Sequence, residues 1–187
     1  MGISIKIFNF ALSLYRRKRI FIFILFCIIG YLWEVILYIF KTGKIVNKGN
    51  LHGPWLPVYG FGGLIIYYVS SKISDSFLTC FVINFIFCGF IEYLISFFEE
   101  KIWNNRWWDY SNKFLNINGR ICLLSLTFFG LMGSLLSLYA VNYIDKFYGF
   151  VNNVIVANVF VLFVIDLLYS LYKPNVGEYI SIYNSNN

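Results

Sequence analysis

Residues 77–98 read FLTCFVINFIFCGFIEYLISFF, an apolar run in which Glu92 is the only charged side chain. A helix that crosses a bilayer needs about 20 predominantly apolar residues, and this stretch supplies them without a proline. Asn84, Cys88, Glu92 and Ser96, continued by Glu100, recur at intervals of four, which places them on one helix face. A charge at the centre of a spanning helix costs about 2.5–3.5 kcal/mol on insertion scales, so that face must look toward protein or a polar cavity. The stretch therefore predicts a spanning helix and one wall of a polar interior.

Three further runs have the same character: Ile20–Phe40, Ile121–Ile144 and Val154–Tyr172. A fifth, Leu56–Ser71, is uncharged but short; it opens with Pro57 and carries Gly60, Gly62 and Gly63 in its first turns. It reads as a broken or re-entrant helix, because irregular backbone at membrane depth survives only where protein or a water-filled cavity satisfies it. Of all 187 residues 59% are hydrophobic and 13% charged, against roughly 45–50% and 25% in an ordinary soluble domain. The fold class expected is all-α, a polytopic transmembrane helical bundle of about five hydrophobic segments. The lipid bilayer is its first partner.

Within this frame, residues 1–19 form an interfacial N-terminal helix and basic flank, 20–172 the transmembrane helical domain, and 173–187 a polar C-terminal tail. Residues 3–15 are too short to span and read as a helix lying at the membrane surface. Arg16, Arg17, Lys18 and Arg19 stand directly before the first long run, which suits anionic headgroups and a cytoplasmic N-terminus in the cell membrane. No soluble domain carries a basic face, so nucleic acid is not an expected partner. Charge counting separates two paths for the chain. With five crossings the two sides hold seven and eight Lys and Arg residues, so the count has no preference. With 56–71 re-entrant, the 101–120 segment joins the N-terminal side and the count becomes ten against five, which favours re-entry.

The acids within the apolar runs are Glu34, Glu92 and Asp166. In the first run Cys27, Tyr31, Glu34, Tyr38 and Lys41 follow alternating spacings of four and three, a second inward stripe. Tyr59, Gly63, Tyr67 and Ser71 make a third, and Asn158, Leu162, Asp166 and Ser170 a weaker fourth. Gly130 with Ser134 and Gly133 with Ser137 are small-xxx-small pairs of the kind that pack helices closely. Two readings stand for these stripes: hydrogen bonding between helices, or a polar intramembrane site in which Glu34, Glu92, Tyr59 and Asn84 hold a cation, a proton or a polar headgroup. Asp166, near a helix end, is read as reaching the interface.

Two polar segments join the runs. GNLHGPWLPVYGFGG at 49–63 carries the lone histidine, His52, and its prolines forbid regular helix. With no HxxxH or HExxH partner, His52 reads as a hydrogen-bonded structural residue, and no metal or other cofactor is expected. EEKIWNNRWWDYSNKFLNINGR at 99–120 holds Trp107 and Trp108, residues that favour the headgroup layer, and Arg106, Asp109 and Arg120. This is either an aromatic belt or an anion clamp in which Arg106 and Arg120 grip phosphate.

HGPWLPVYGFGG at 52–63, the Glu92-Tyr93 pair, RWWDYS at 106–111 and NGRICL at 118–123 together resemble the bacterial ABC-transporter type IV (CmpB-like) integral membrane family. The order and spacing of the motifs carry the match, over roughly residues 30–143. The resemblance implies a permease-like component of a transport system. The chain has no GxxxxGK[ST] loop, so a transport reading requires a separate ATPase subunit and, for so small a chain, a homo-oligomer or hetero-complex. Two alternatives stay open. One is a small intramembrane enzyme acting on a lipid-linked substrate, although EExxxR is not met, because Arg106 follows Glu99 and Glu100 too late. The other is a non-catalytic membrane factor; catalytic residues are unassigned.

Overall fold

The computed structural model describes residues 2–73 and 75–175, with side chains from Arg17 onward. Its elements are helices and loops, and among the described residues the β-structure is one isolated bridge, Ile117 to Ile121. Helix α1 runs unbroken over Gly2–Thr42, so residues 3–15 are helical and continuous with the span that starts at Arg17. Four helical stretches are long and apolar enough to cross a membrane: Arg17–Thr42, Phe77–Trp103, Leu123–Phe150 and Asn153–Tyr172. Their outward faces are apolar and open, with Ile86, Phe90, Ile165 and Leu168 all more than half exposed, a surface suited to lipid. Residues 176–187 of the expected tail lie outside the described part.

The short second segment is broken as its glycines and length suggest. Helix α2 (Pro57–Ile65) opens on Pro57, whose missing N–H costs nothing in a first turn. It passes into a π-helical turn (Ile66–Ser70) and a last short turn, α3 (Ser71–Ile73). Its path runs antiparallel to α1. A Cβ on Gly30 would meet the Tyr59 ring at 2.1 Å and one on Gly63 the Phe26 ring at 2.2 Å, while Tyr67 at the far end reaches Lys18 through Asp145. The segment thus starts at mid-height and descends to the level of Lys18. This is the first of the two paths, with 101–120 at the end of the bundle opposite Lys18, and it goes with the even charge count.

Helix α4 (Phe77–Trp103) rises beside α2, and α5 (Leu123–Leu135) descends through a second π turn (Leu136–Ala140) into α6 (Val141–Phe150). Helix α7 (Asn153–Tyr172) climbs along α1, its first turn capped by Asn152 Oδ1 accepting from Val154 N at 2.8 Å. The bundle has two ends. Loops 43–56 and 104–122 gather at one, the loop end, and Lys18 and Asp145 mark the other, the basic end.

The inward stripes fare differently. Asn84, Cys88, Glu92 and Ser96 are all 3% exposed or less, because α2 and α5 cover α4 from either side. In α7 the interval of four drifts by about 40° per step, so Asn158 and Leu162 turn outward while Val156, Phe163 and Ser170 are the buried positions.

Candidate functional site

At the loop end, α1, α2, α4, α5 and the 104–122 loop enclose a cavity of about 490 Å³, within the range of small-molecule sites. Glu34, Glu92 and Glu99 line it, with Tyr59 and Tyr110, and the exposed Lys41 and Lys113 stand at its rim. The Tyr59 hydroxyl donates to Glu34 Oε1 at 2.6 Å, and the absence of a side chain at Gly30 lets the ring lie flat on α1 one turn below its acceptor. From the opposite side the Tyr110 hydroxyl donates to Glu92 Oε1 at 3.2 Å. Burial pushes the Tyr110 phenol well above its ordinary pKa, so it remains a donor. Lys48 also lines the cavity, its ammonium 3.7 Å from the centre of the Tyr38 ring. Burial holds Lys48 below the usual lysine value, and the charge of Glu34 opposes that shift.

Two carboxylate oxygens in this cavity, Glu92 Oε2 and Glu99 Oε2, are enclosed and accept no hydrogen bond. Ser125 lies beside Glu92, but its hydroxyl donates to Cys122 O at 3.1 Å within the cap of α5. Asn50 is the polar neighbour of Glu99, yet Asn50 Nδ2 is likewise unpartnered. Buried acceptors without donors are costly, by about 1–3 kcal/mol each and more when charged.

Of the residues expected in a polar site, Glu34, Tyr59 and Glu92 come together here. Asn84 does not. It sits two turns nearer the basic end, donating to Ser70 Oγ at 2.9 Å and Cys80 O at 2.8 Å, with Ser137 Oγ bonded to Ser70 Oγ at 2.8 Å. The two π turns meet at these serines.

The residues expected as an interfacial anion site are divided as well. Trp107 and Trp108 line the cavity, and Trp108 Nε1 donates to Arg120 O at 2.8 Å. Arg106 and Arg120 converge, but on protein. Glu100 Oε2 accepts from Arg106 at 2.7 Å and from Arg120 as well, while Arg120 donates also to Ser96 O at 3.1 Å and Arg106 to Asn118 O at 3.0 Å. The pair is closed on α4 and ties down the loop. Asp109 holds the loop's own turn, accepting from the Ser111 hydroxyl at 2.6 Å and its amide at 2.9 Å, bonds that keep its carboxyl below the usual value. Gly119, at φ +67°, has no room for a Cβ between Ser111 and Asp109.

His52 is a structural residue of the second loop. Its Nδ1 pairs with Ser170 Oγ at 3.0 Å, and its backbone N–H reaches Asp166 Oδ1 at 3.1 Å. Asp166 accepts also from Gly53 N at 2.8 Å and Trp55 Nε1 at 2.7 Å, so it anchors the loop to α7 rather than reaching out to the interface. Sequence reasoning missed Glu99, Tyr110 and Lys48 as cavity residues. Seven residues separate Glu99 from Glu92, two full turns, and that spacing was the available signal.

Residues 21–171 match the family model described as "Putative ABC-transporter type IV". The chain belongs to this family. The match takes in the C-terminal half of α1 and nearly all of α7, beyond the 30–143 covered by the motifs, and every cavity residue of this ABC-transporter type IV protein falls inside it. No curated protein and no solved structure matches the chain.

Proposed function

We propose that this membrane protein is the permease-like component of a transport system in the cell membrane, with the Glu34–Glu92 cavity as its solute site and a separate ATPase chain as its motor. The observation that carries the reading is the cavity itself, which gathers three acids, Glu34, Glu92 and Glu99, with Tyr59 and Tyr110 donating to the first two. Retaining unpaired acids there costs stability, and solute binding is a function that explains the cost. The family assignment supports the transport class. The polybasic flank at Arg16–Arg19 supports a cytoplasmic N-terminus, which puts the cavity mouth on the far side.

The intramembrane-enzyme reading needs Arg106 and Arg120 free to hold phosphate, and Glu100 occupies both. Purification of the tagged chain from its native membrane in mild detergent tests the proposal: a stoichiometric ATPase is expected with it. Glu92→Gln should leave insertion and that assembly intact and abolish transport. A chain that purifies without any ATPase, or a Glu92→Gln variant with full transport, overturns the reading.

A further inference from the structure

A second cavity, of about 260 Å³, adjoins the first. Leu56, Pro57, Ile95 and Glu99 line both, so Glu99 stands at the passage between them. The second cavity is apolar, with Phe98 and Ile102 of α4 facing Phe163 and Leu167 of α7. Trp103 Nε1 bridges the two helices at the loop end by donating to Ser170 O at 2.8 Å. Phe98 and Ile102 line this cavity and are 53% and 50% exposed, so part of its wall is made of side chains that also reach the apolar outer surface of the bundle. An engineered apolar cavity of about 150 Å³ stays dry and takes up benzene. A larger one walled by side chains at the apolar surface is suited to hydrocarbon, and a small hydrophilic solute gains nothing from it.

The polar half specifies the other end of the ligand. Glu92 Oε2 and Glu99 Oε2 are enclosed acceptors with no donor, and a primary ammonium offers three N–H donors and a compensating charge. From these two observations we infer that the paired cavities bind an amphiphile with a primary ammonium head, its head between Glu92 and Glu99 and its chain in the apolar cavity between α4 and α7. The inference rests on reading the larger cavity as the solute site, and it makes the transported substrate a lipid-like amine that enters sideways from the bilayer. Lys41, Lys48 and Lys113 around the head site would meet the phosphate of a zwitterionic lipid.

All five tryptophans line the two cavities, Trp55 and Trp103 in the apolar one and Trp33, Trp107 and Trp108 in the polar one, which gives a direct readout. The full chain in maltoside detergent is titrated with lysophosphatidylethanolamine brominated on its acyl chain, and tryptophan quenching is followed. Saturable quenching that the unbrominated lipid reverses is expected. Glycerophosphoethanolamine, the head alone, should compete on the order of a hundredfold more weakly, since about four buried methylenes at ~0.8 kcal/mol each account for that ratio. Glu92→Gln and Glu99→Gln, each isosteric, should weaken binding about tenfold, and lysophosphatidylglycerol should compete poorly. Hexadecylamine is the comparison that names the source: competition equal to the phospholipid supports a plain long-chain amine, and weaker competition supports a zwitterionic lipid.

Equal binding of the phosphatidylglycerol analogue, or unchanged binding in both glutamine variants, overturns the ammonium site. Equal binding of the head alone overturns the lipid substrate while leaving a transporter of soluble amines standing. Non-saturable quenching overturns the inference altogether. Loss of the ATPase partner, by contrast, bears on the transport reading and leaves lipid binding untouched.

Discussion

Asp166→Ala should unfasten the 49–56 loop from α7 and do so at a measurable cost. Asp166 has a side chain only 13% exposed, and it accepts from His52 N, Gly53 N and Trp55 Nε1. The His52 bond is near solvent, where water replaces the lost acceptor. The Gly53 and Trp55 donors are partly buried, and hydrogen bonds to a charged group contribute about 1.5–3 kcal/mol each, so the expected loss is about 3–6 kcal/mol. Trp55 is 8% exposed and packs edge-on against Phe163 with ring centroids 6.0 Å apart, so its indole nitrogen cannot turn to water without leaving the core. The assay is thermal unfolding in detergent followed by tryptophan emission. A chain of this size shifts by about 2–4 °C per kcal/mol, which gives a fall of roughly 6–24 °C together with a red shift of the Trp55 emission. Asp166→Asn, which keeps one acceptor oxygen but turns an NH₂ toward the donors, should fall between the two. A midpoint within about 2 °C of the parent and unchanged emission would refute the reasoning, and would assign the loop's attachment to Asn175, whose side chain donates to Gly49 O at 2.9 Å.

Gly30→Ala should destabilise by about 1–3 kcal/mol, the usual range for overpacking, because its Cβ would lie 2.1 Å from the Tyr59 ring; the same substitution in a Tyr59→Ala background should cost little, as unfolding midpoints of the four variants will report. Arg120→Ala and Glu100→Gln should be coupled by more than about 1 kcal/mol in a double-mutant cycle, and Arg120→Lys should not rescue, since Arg120 reaches Ser96 O and Glu100 from two separate nitrogens of its planar fork, a geometry that a lysine ammonium does not reproduce. Asp109 titrates below the ordinary carboxyl value of 3.8, first because the Ser111 hydroxyl donates to it. A depressed carboxyl contributes its stability above the unfolded value and loses it as pH falls through the folded one. Amide exchange protection around Ser111 should therefore hold from neutral pH down to about pH 4 and decline below it. Asp109→Asn should lower protection at neutral pH and flatten that decline, and an identical acid profile in the variant would remove Asp109 from the account.

How far the sequence carried this reading depends on the range of the interaction. Segment positions, Pro57 as a helix start and the inward face of α4 all follow from local periodicity, and the structure agrees with them. Periodicity falters where it has to choose between neighbours. An interval of four continues the Glu92 stripe to Glu100, whereas two full turns lead to Glu99; the structure puts Glu99 in the cavity and gives Glu100 to the arginines. Both positions satisfy a helical pattern, and only the fold of the 104–122 loop back onto α4 decides which acid meets which partner. Asp166 was opaque for a related reason. Its donors come from residues 52–55, more than a hundred positions away, and three of the four N–H and hydroxyl groups it accepts belong to a loop whose conformation Gly49, Gly53 and Pro54 set rather than any repeat. Motif order, being a property of the whole chain, indicated the family where single spacings did not.

The polar groups of the bundle sort by height, and the sorting bears on how such a protein could work. Charge-assisted bonds fasten the loop end: two arginines on Glu100, and three N–H donors on Asp166. Below them lies the cavity, in which one oxygen each of Glu92 and Glu99 is enclosed without a donor. Below the cavity, about 12 Å along α4 from Glu92 at 1.5 Å per residue, Asn84, Ser70 and Ser137 close the bundle with neutral hydrogen bonds at the two π turns, each contributing only about 1 kcal/mol. The Lys18–Asp145 pair beyond them, at 2.9 Å, has its two side chains 26% and 42% exposed, the setting in which ion pairs contribute least. The polar contacts are therefore strongest where the cavity opens and weakest where it is shut. Anything that leaves the cavity toward the basic end has to part the serine–asparagine contacts at the π turns, the apolar cluster of Phe21, Ile22, Phe26, Ile66 and Val141, and the Tyr67–Asp145–Lys18 contacts, while the charged ties at the loop end stay made.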